Sequence, residues 1–216
     1  MKGLFEVHLI TNPEKQTELF GYITNLKNKR LIRPRPTCAY ALYGDYPIQP
    51  MLTFWVNGEF NEISNFVNEI VCDMVAHDIP IIRTKIEAMA HNEGVPNECD
   101  NGHYFEFHFK VEIANTREWN DIVKLIIPFG GHLFYNPYSK TLNPIITIRR
   151  YTSLTDLEII FEKVKTLLEE NKYVLTQPEK EYSAFDNNVN LDKNWLFRDT
   201  QTNFISSIDT KMLFNI

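Results

Sequence analysis

The chain has 216 residues, 44% of them hydrophobic, and carries 22 Lys and Arg against 28 Asp and Glu, a formal charge of −6. This length and apolar content suit one large domain or two small, closely packed ones, while the acidic balance argues against a dedicated binder of duplex DNA or of a membrane surface. Cys38, Cys72 and Cys99 stand at unrelated spacings that imply neither a disulfide framework nor a zinc knuckle, and with no apolar run of membrane-spanning length the expectation is a soluble cytoplasmic protein.

In chain order, the pattern predicts a strand at about 4–11, then a helix at about 14–27 opening at Pro13, where a missing N–H costs nothing. Strands follow near 37–43 and 51–57. Phe60, Ile63, Phe66, Val67, Ile70, Val71, Met74 and Val75 recur at helical spacing and predict a helix over 60–77. Pro80 ends it, and residues 81–87 alternate as a strand. The second half repeats the plan, with a strand at 104–113, a helix at about 116–127, and strands at 132–136 and 145–151. Thr155-x-x-Glu158 reads as a capping box for a helix through 171, and the last strand starts at Val174.

Each half is therefore βαββαβ, a ferredoxin-like split unit. The expected fold class is α+β: an internal duplication of two ferredoxin-like units packed as a pseudo-twofold bilobal body. The expected organisation is a first lobe at 1–88, a connecting loop at 89–103, a second lobe at 104–185 and a C-terminal arm at 186–216, anchored by Trp195, Leu196, Phe197 and Phe204 and mobile at its end.

The strongest internal signal is that Phe5-Glu6-Val7-His8-Leu9 returns as Phe105-Glu106-Phe107-His108-Phe109. Tyr43-Gly44 before Met51-Leu52-Thr53 likewise answers Tyr135-Asn136 before Ile145-Ile146-Thr147. Side chains alternate between the faces of a strand, so Phe105, Phe107 and Phe109 share one face while Tyr104, Glu106, His108 and Lys110 share the other. A strand that packs helices on its apolar side leaves the polar side for water or ligand. The candidate site gathers Glu6, His8, Tyr104, Glu106, His108 and Lys110 with Arg83 and Lys85 of one neighbouring strand, Arg149 of another, and His132. Two imidazoles among several cations suit an anionic ligand, with one imidazole as general base and the other as general acid and arginine as a bidentate grip on phosphate. The bland alternative for either histidine alone is a hydrogen-bonded structural pair with the Glu two residues earlier.

Two equivalent lobes, each with a histidine on a strand facing a shared cleft, resemble the two-histidine phosphoesterases, the superfamily of RNA-ligase-like cyclic phosphodiesterases. The resemblance covers the duplicated plan over roughly residues 4–185, and its motif matches at His8 and His108. In that family each histidine begins a His-x-Thr or His-x-Ser motif. Here His8-Leu9-Ile10-Thr11 sets the hydroxyl one place late, and His108-Phe109-Lys110 has Lys where the hydroxyl stands. The resemblance implies a metal-independent phosphodiesterase without a cofactor, acting on or binding a nucleotide-derived cyclic phosphate or 2′–5′ linkage. Its partner would be a small phosphorylated ligand or a short RNA end.

Two rival readings stay open. Glu6, His8, Glu106, His108 and His132 could ligate zinc, iron or manganese, although Arg83, Lys85 and Lys110 are poor neighbours for a metal. A non-catalytic binder could use Trp55, Tyr104 and Tyr151 to stack a base. No Walker loop, dinucleotide glycine fingerprint, Gly-x-Ser-x-Gly elbow or His-Glu-x-x-His motif is present in the sequence.

Overall fold

Alternation along the strands decides which side of the sheet meets the helices. In the computed structural model, which describes residues 1–26, 30–41, 44–100, 102–139 and 143–195, the first half runs β1 (Lys2–Thr11), a 3-10 turn (Pro13–Lys15), α1 (Gln16–Asn25), β2 (Ile32–Ala41), β3 (Ile48–Glu59), α2 (Phe60–Ala76) and β4 (Ile81–Met89). The second runs β5 (Phe105–Val111), α3 (Thr116–Ile126), a 3-10 turn (Ile127–Phe129), β6 (Gly131–Tyr135), β7 (Ile145–Arg150), α4 (Leu154–Glu170) and β8 (Leu175–Asp186), and a last 3-10 turn spans Val189–Asp192. The fold is mixed α+β, with four α-helices among the described residues on one large antiparallel sheet.

The sheet is closed. Its order is β1-β3-β2-β6-β7-β5-β8-β4, with β4 returning to β1, and each neighbouring pair is antiparallel. This corrects the expected cleft between two lobes. The strands that would be the free edges of each half pair with those of the other: β2 meets β6 through Tyr40↔Tyr135 and Ala41↔Phe134, and β4 meets β8 from Lys85↔Asp186 to Met89↔Glu181. An unpaired edge leaves a row of backbone donors and acceptors unsatisfied, and closure removes it. The polar faces expected to line a cleft instead meet inside a barrel.

The apolar face of each strand turns outward under the helices. Phe5, Val7 and Leu9 of β1, Phe105, Phe107 and Phe109 of β5, and Ile63, Phe66, Leu157 and Phe161 of the helices belong to one buried cluster. The Phe107 and Phe161 rings meet edge to face with centroids 5.2 Å apart, a favoured aromatic geometry. α1 and α2 cover strands of the first half, and α3 and α4 cover strands of the second.

Two local expectations change. The cap of α4 is Ser153, whose hydroxyl accepts from the Asp156 N–H at 3.0 Å, so Thr155 lies within the first turn and is no cap. Gly130, at φ 61°, turns the chain out of the 3-10 segment into β6 in a conformation that costs glycine little, and so places His132.

One end of the barrel is plugged. Ile10, Ala39, Met51 and Leu191 form a second small apolar cluster, and Trp195 lies against His132 with ring centroids 4.6 Å apart. Residues 187–195 thus cross the end of the barrel as part of the expected arm. Tyr43, Leu196, Phe197, Phe204 and the rest of the arm lie outside the described residues.

Candidate functional site in the barrel interior

A closed sheet must put one face of every strand inside, and in this chain that face carries the charges. Glu6, Arg83, Lys85, Glu87, Glu106, His132, Thr147, Glu181 and Ser183 are all buried. Burying a charge is costly unless it is paired and hydrogen-bonded, and most of these charges are paired. Arg83 donates to Asp186 (2.9 and 2.6 Å) and to Asp192 (2.7 and 2.9 Å). Arg149 bridges Asp192 and Glu106 at 2.6 Å each. Lys85 stands 2.6 Å from both Glu106 and Glu87, and Tyr104 donates its hydroxyl to Asp186 at 2.6 Å with the Arg149 guanidinium 4.0 Å above its ring. One continuous network therefore runs from the plug to the histidines.

The two histidines are held alike. His8 Nδ1 meets the Thr53 hydroxyl at 3.0 Å and its Nε2 meets Glu87 at 3.2 Å. His108 Nδ1 meets the Thr147 hydroxyl at 2.6 Å and its Nε2 meets Glu181 at 3.2 Å. β-Register explains this, because Thr53 lies opposite His8 and Thr147 opposite His108. Their side chains remain 18% and 16% exposed, more than the carboxylates they meet.

Their pKa values are displaced in opposite directions. Burial lowers the His8 pKa below its ordinary 6.5 despite the Glu87 hydrogen bond. Burial also acts against His108, but the hydrogen bond and charge of Glu181 outweigh it and raise the group to about 8. Glu181 itself is pushed up to about 7 by burial and by Glu87. Glu6 is raised well above the usual carboxylate range by burial and by Glu181, Glu179 and Glu87. Glu106 is lowered well below it, burial being outweighed by Arg149 and Lys85. His132 is driven down to about 4 by burial.

The barrel brings together all but one of the expected site residues: Glu6, His8, Arg83, Lys85, Tyr104, Glu106, His108, His132 and Arg149. Lys110 is half-buried farther along β5, and its side chain makes no hydrogen bond or ion pair among the described residues. Tyr104, expected as an exposed stacking platform, is fully buried, because its position faces the interior of a closed barrel; Tyr151 is 60% exposed. Glu87, a partner of His8, shares the strand face expected of Arg83 and Lys85, while Glu181, the partner of His108, and Asp186 and Asp192, the arginine partners, were outside the expected site. Glu181 alternates with Glu179 on β8 as Glu87 does with Lys85 on β4, a signal legible in the sequence. The two aspartates fall in an Asn- and Asp-rich stretch that reads as an arm.

The rival metal reading has a geometric basis, since Glu87, Glu106 and His108 offer ligand atoms within 4.8 Å of one another. The Lys85 ammonium, 2.6 Å from both carboxylates, holds the place an ion would take there, so these residues do not fit a metal with the lysine in position.

No protein-family model matches the sequence, and no curated protein sequence matches it. Among solved structures, the chain is similar to an anthrone oxidase-like protein (12% identity, 86% of this chain and 93% of that one, TM-score 0.31). It is also similar to a protein from Fusobacterium nucleatum subsp. nucleatum described as a candidate monooxygenase (8% identity, 84% and 91%, TM-score 0.31) and to a heme-binding protein from Thermus thermophilus (7% identity, 85% and 92%, TM-score 0.31). A likeness this low carries no chemistry to this chain. The phosphoesterase expectation is corrected by the site itself: Arg83, Lys85 and Arg149, the intended phosphate grip, are already held by carboxylates.

Proposed function

We propose that the barrel interior is an acid–base site that moves a proton on a small polar substrate, with His8 as the neutral acceptor and His108 as the protonated donor. The observation that carries this is the pair of Thr–His–Glu arrangements with matching geometry and opposite displacements of the imidazole pKa. Burial acts against the charged form of both; at His8 it prevails over Glu87, with Lys85 adding to it, while at His108 Glu181, with Glu106 and Glu87, outweighs it. The Lys85 ammonium lies on Glu87 and offsets part of its charge at His8, whereas Glu181 meets no permanent cation among the described residues. Two titratable groups driven apart by their surroundings are the usual basis of an acid and a base working at one pH. His8 Nε2 lies 3.2 Å from Glu87; with its proton on that nitrogen, Nδ1, facing the Thr53 hydroxyl, is the atom that takes up a proton.

The matching arrangements also support reading the chain as an internal duplication of two ferredoxin-like units about a pseudo-twofold axis. Within each half the strands follow the same order, β4-β1-β3-β2 and β8-β5-β7-β6.

Titration of the imidazole resonances by NMR tests the division of roles. His8 should titrate below 6.5 and His108 near 8, and Lys85→Met should raise His8. Both imidazoles titrating together near 6.5 would overturn the reading. Deuterium wash-in from D2O into a panel of small keto and hydroxy acids, lost in His8→Gln and His108→Gln, is the expected sign of turnover.

A further inference from the structure

The end of the barrel opposite the plug has a character of its own. Along β1 the inward positions run from Ile10 at the plug through His8 to Glu6, and Glu6 lies opposite Trp55 of β3. Carboxylates crowd here. Glu6 is within electrostatic reach of Glu181, Glu179 and Glu87, and while Glu87 is held by Lys85 and His8, the Glu181 Oε1 is buried without a hydrogen-bond partner. Buried acceptors are normally satisfied, so this atom marks a place where a donor is missing.

A second observation says what kind of donor fits. The Arg35 guanidinium lies 4.3 Å from the centre of the Trp55 ring and 3.5 Å from the Glu6 carboxylate. Its side chain is 46% exposed, so it reaches in from the rim and does not belong to the buried network. An aromatic face with a carboxylate behind it is a recognition surface for ammonium and guanidinium groups, and Arg35 is a tethered example of such a group.

We propose that this end of the barrel binds the ammonium or guanidinium head of a small organic cation, placed over Trp55 and held by the carboxylates of Glu6 and Glu181, and that Arg35 keeps the place in the absence of ligand. The inference needs no proton transfer between the histidines and stands apart from the acid–base reading.

Isothermal titration with methylguanidinium and with 1,4-diaminobutane, beside Mg2+ and Mn2+, tests it. The expected result is saturable binding of the organic cations that weakens about 10-fold or more in Glu6→Gln, where a charge-assisted contact is lost, and about 2- to 5-fold in Trp55→Leu. Arg35→Ala should bind more tightly, because the competing side chain is gone. If Glu6→Gln fails to fold by circular dichroism, Trp55→Leu and Arg35→Ala decide. Absence of saturation by either organic cation, affinity unchanged in all variants, or saturation by the divalent ions alone would overturn the proposal.

Discussion

Lys85 Nζ and Glu106 Oε2 meet at 2.6 Å inside the barrel, joining β4 to β5 past the intervening β8. The same ammonium holds Glu87 of its own strand. One lysine thus compensates a carboxylate from each half of the chain, and it is raised well above its ordinary pKa because Glu106 and Glu87 outweigh burial.

Removing that charge leaves two buried carboxylates short of a partner. Lys85→Met should lower stability by about 3–5 kcal/mol, the usual result of breaking a buried ion pair from one side. Adding Glu106→Gln should recover part of the loss. Urea unfolding of the single and double variants reads both effects, and a loss below about 1 kcal/mol would show that the carboxylates find water or a proton at little cost.

The alternation that revealed Phe105, Phe107 and Phe109 as one face and Glu106 and His108 as the other was legible in the sequence because it is a local, period-two signal. What that signal cannot carry is which edge strands pair. Tyr40↔Tyr135 and Lys85↔Asp186 join residues about a hundred positions apart, and they turn a polar face from a cleft wall into a barrel interior. Closure is also why Tyr104, legible as a polar-face aromatic, is buried, and why Arg83 meets Asp192 where an anionic ligand was expected. Asp192 acts from a 3-10 turn in a polar stretch whose docking depends on Leu191 fitting against Ile10 and Met51, a long-range apolar contact without periodicity of its own.

A competition between two local signals at α4 gives a second prediction. The Thr155-x-x-Glu158 pattern satisfies the capping-box rule, but Ser153 stands before the helix in extended conformation and caps it, while Thr155 is exposed in the first turn. Ser153→Ala should cost about 1 kcal/mol. Thr155→Ala should stay within about 0.5 kcal/mol, the range of ordinary surface substitutions. The opposite ranking in thermal unfolding would restore the capping box.

The plug is predicted to be less costly to weaken than the lysine centre. In Asp192→Asn, Arg83 keeps its two bonds to Asp186 and Arg149 keeps Glu106, so neither cation is left alone. A loss of about 2 kcal/mol is expected, the scale of a hydrogen bond to a charged group, with faster amide exchange confined to residues 187–195. A loss exceeding that of Lys85→Met would place the stability centre at the plug.

Stability should fall between pH 6.5 and 8.5. The folded pKa of His108, about 8, lies above the ordinary 6.5, so its contribution is fully present below 6.5 and is lost as pH rises through 8; the size is about 2 kcal/mol. Glu181, raised from 4.5 to about 7, loses stability in the same direction, and because it shares a hydrogen bond with His108 the two losses do not simply add. His132 works oppositely: held near 4, it favours the folded state above 6.5 and loses that advantage as pH falls toward 4. Between about pH 4.5 and 6.5 the Glu181 and His132 trends oppose each other, and Glu106, Asp186 and Asp192, all depressed, make their losses only in stronger acid. The decline above pH 6.5, to which Glu6, raised by burial and by Glu181, adds in the same direction, is read from urea midpoints in wild type and in Glu181→Gln. The decline should shrink in the variant, where His108 loses the anion that raises it, and a wild-type stability that climbs toward pH 8.5 would show that His108 is not held protonated.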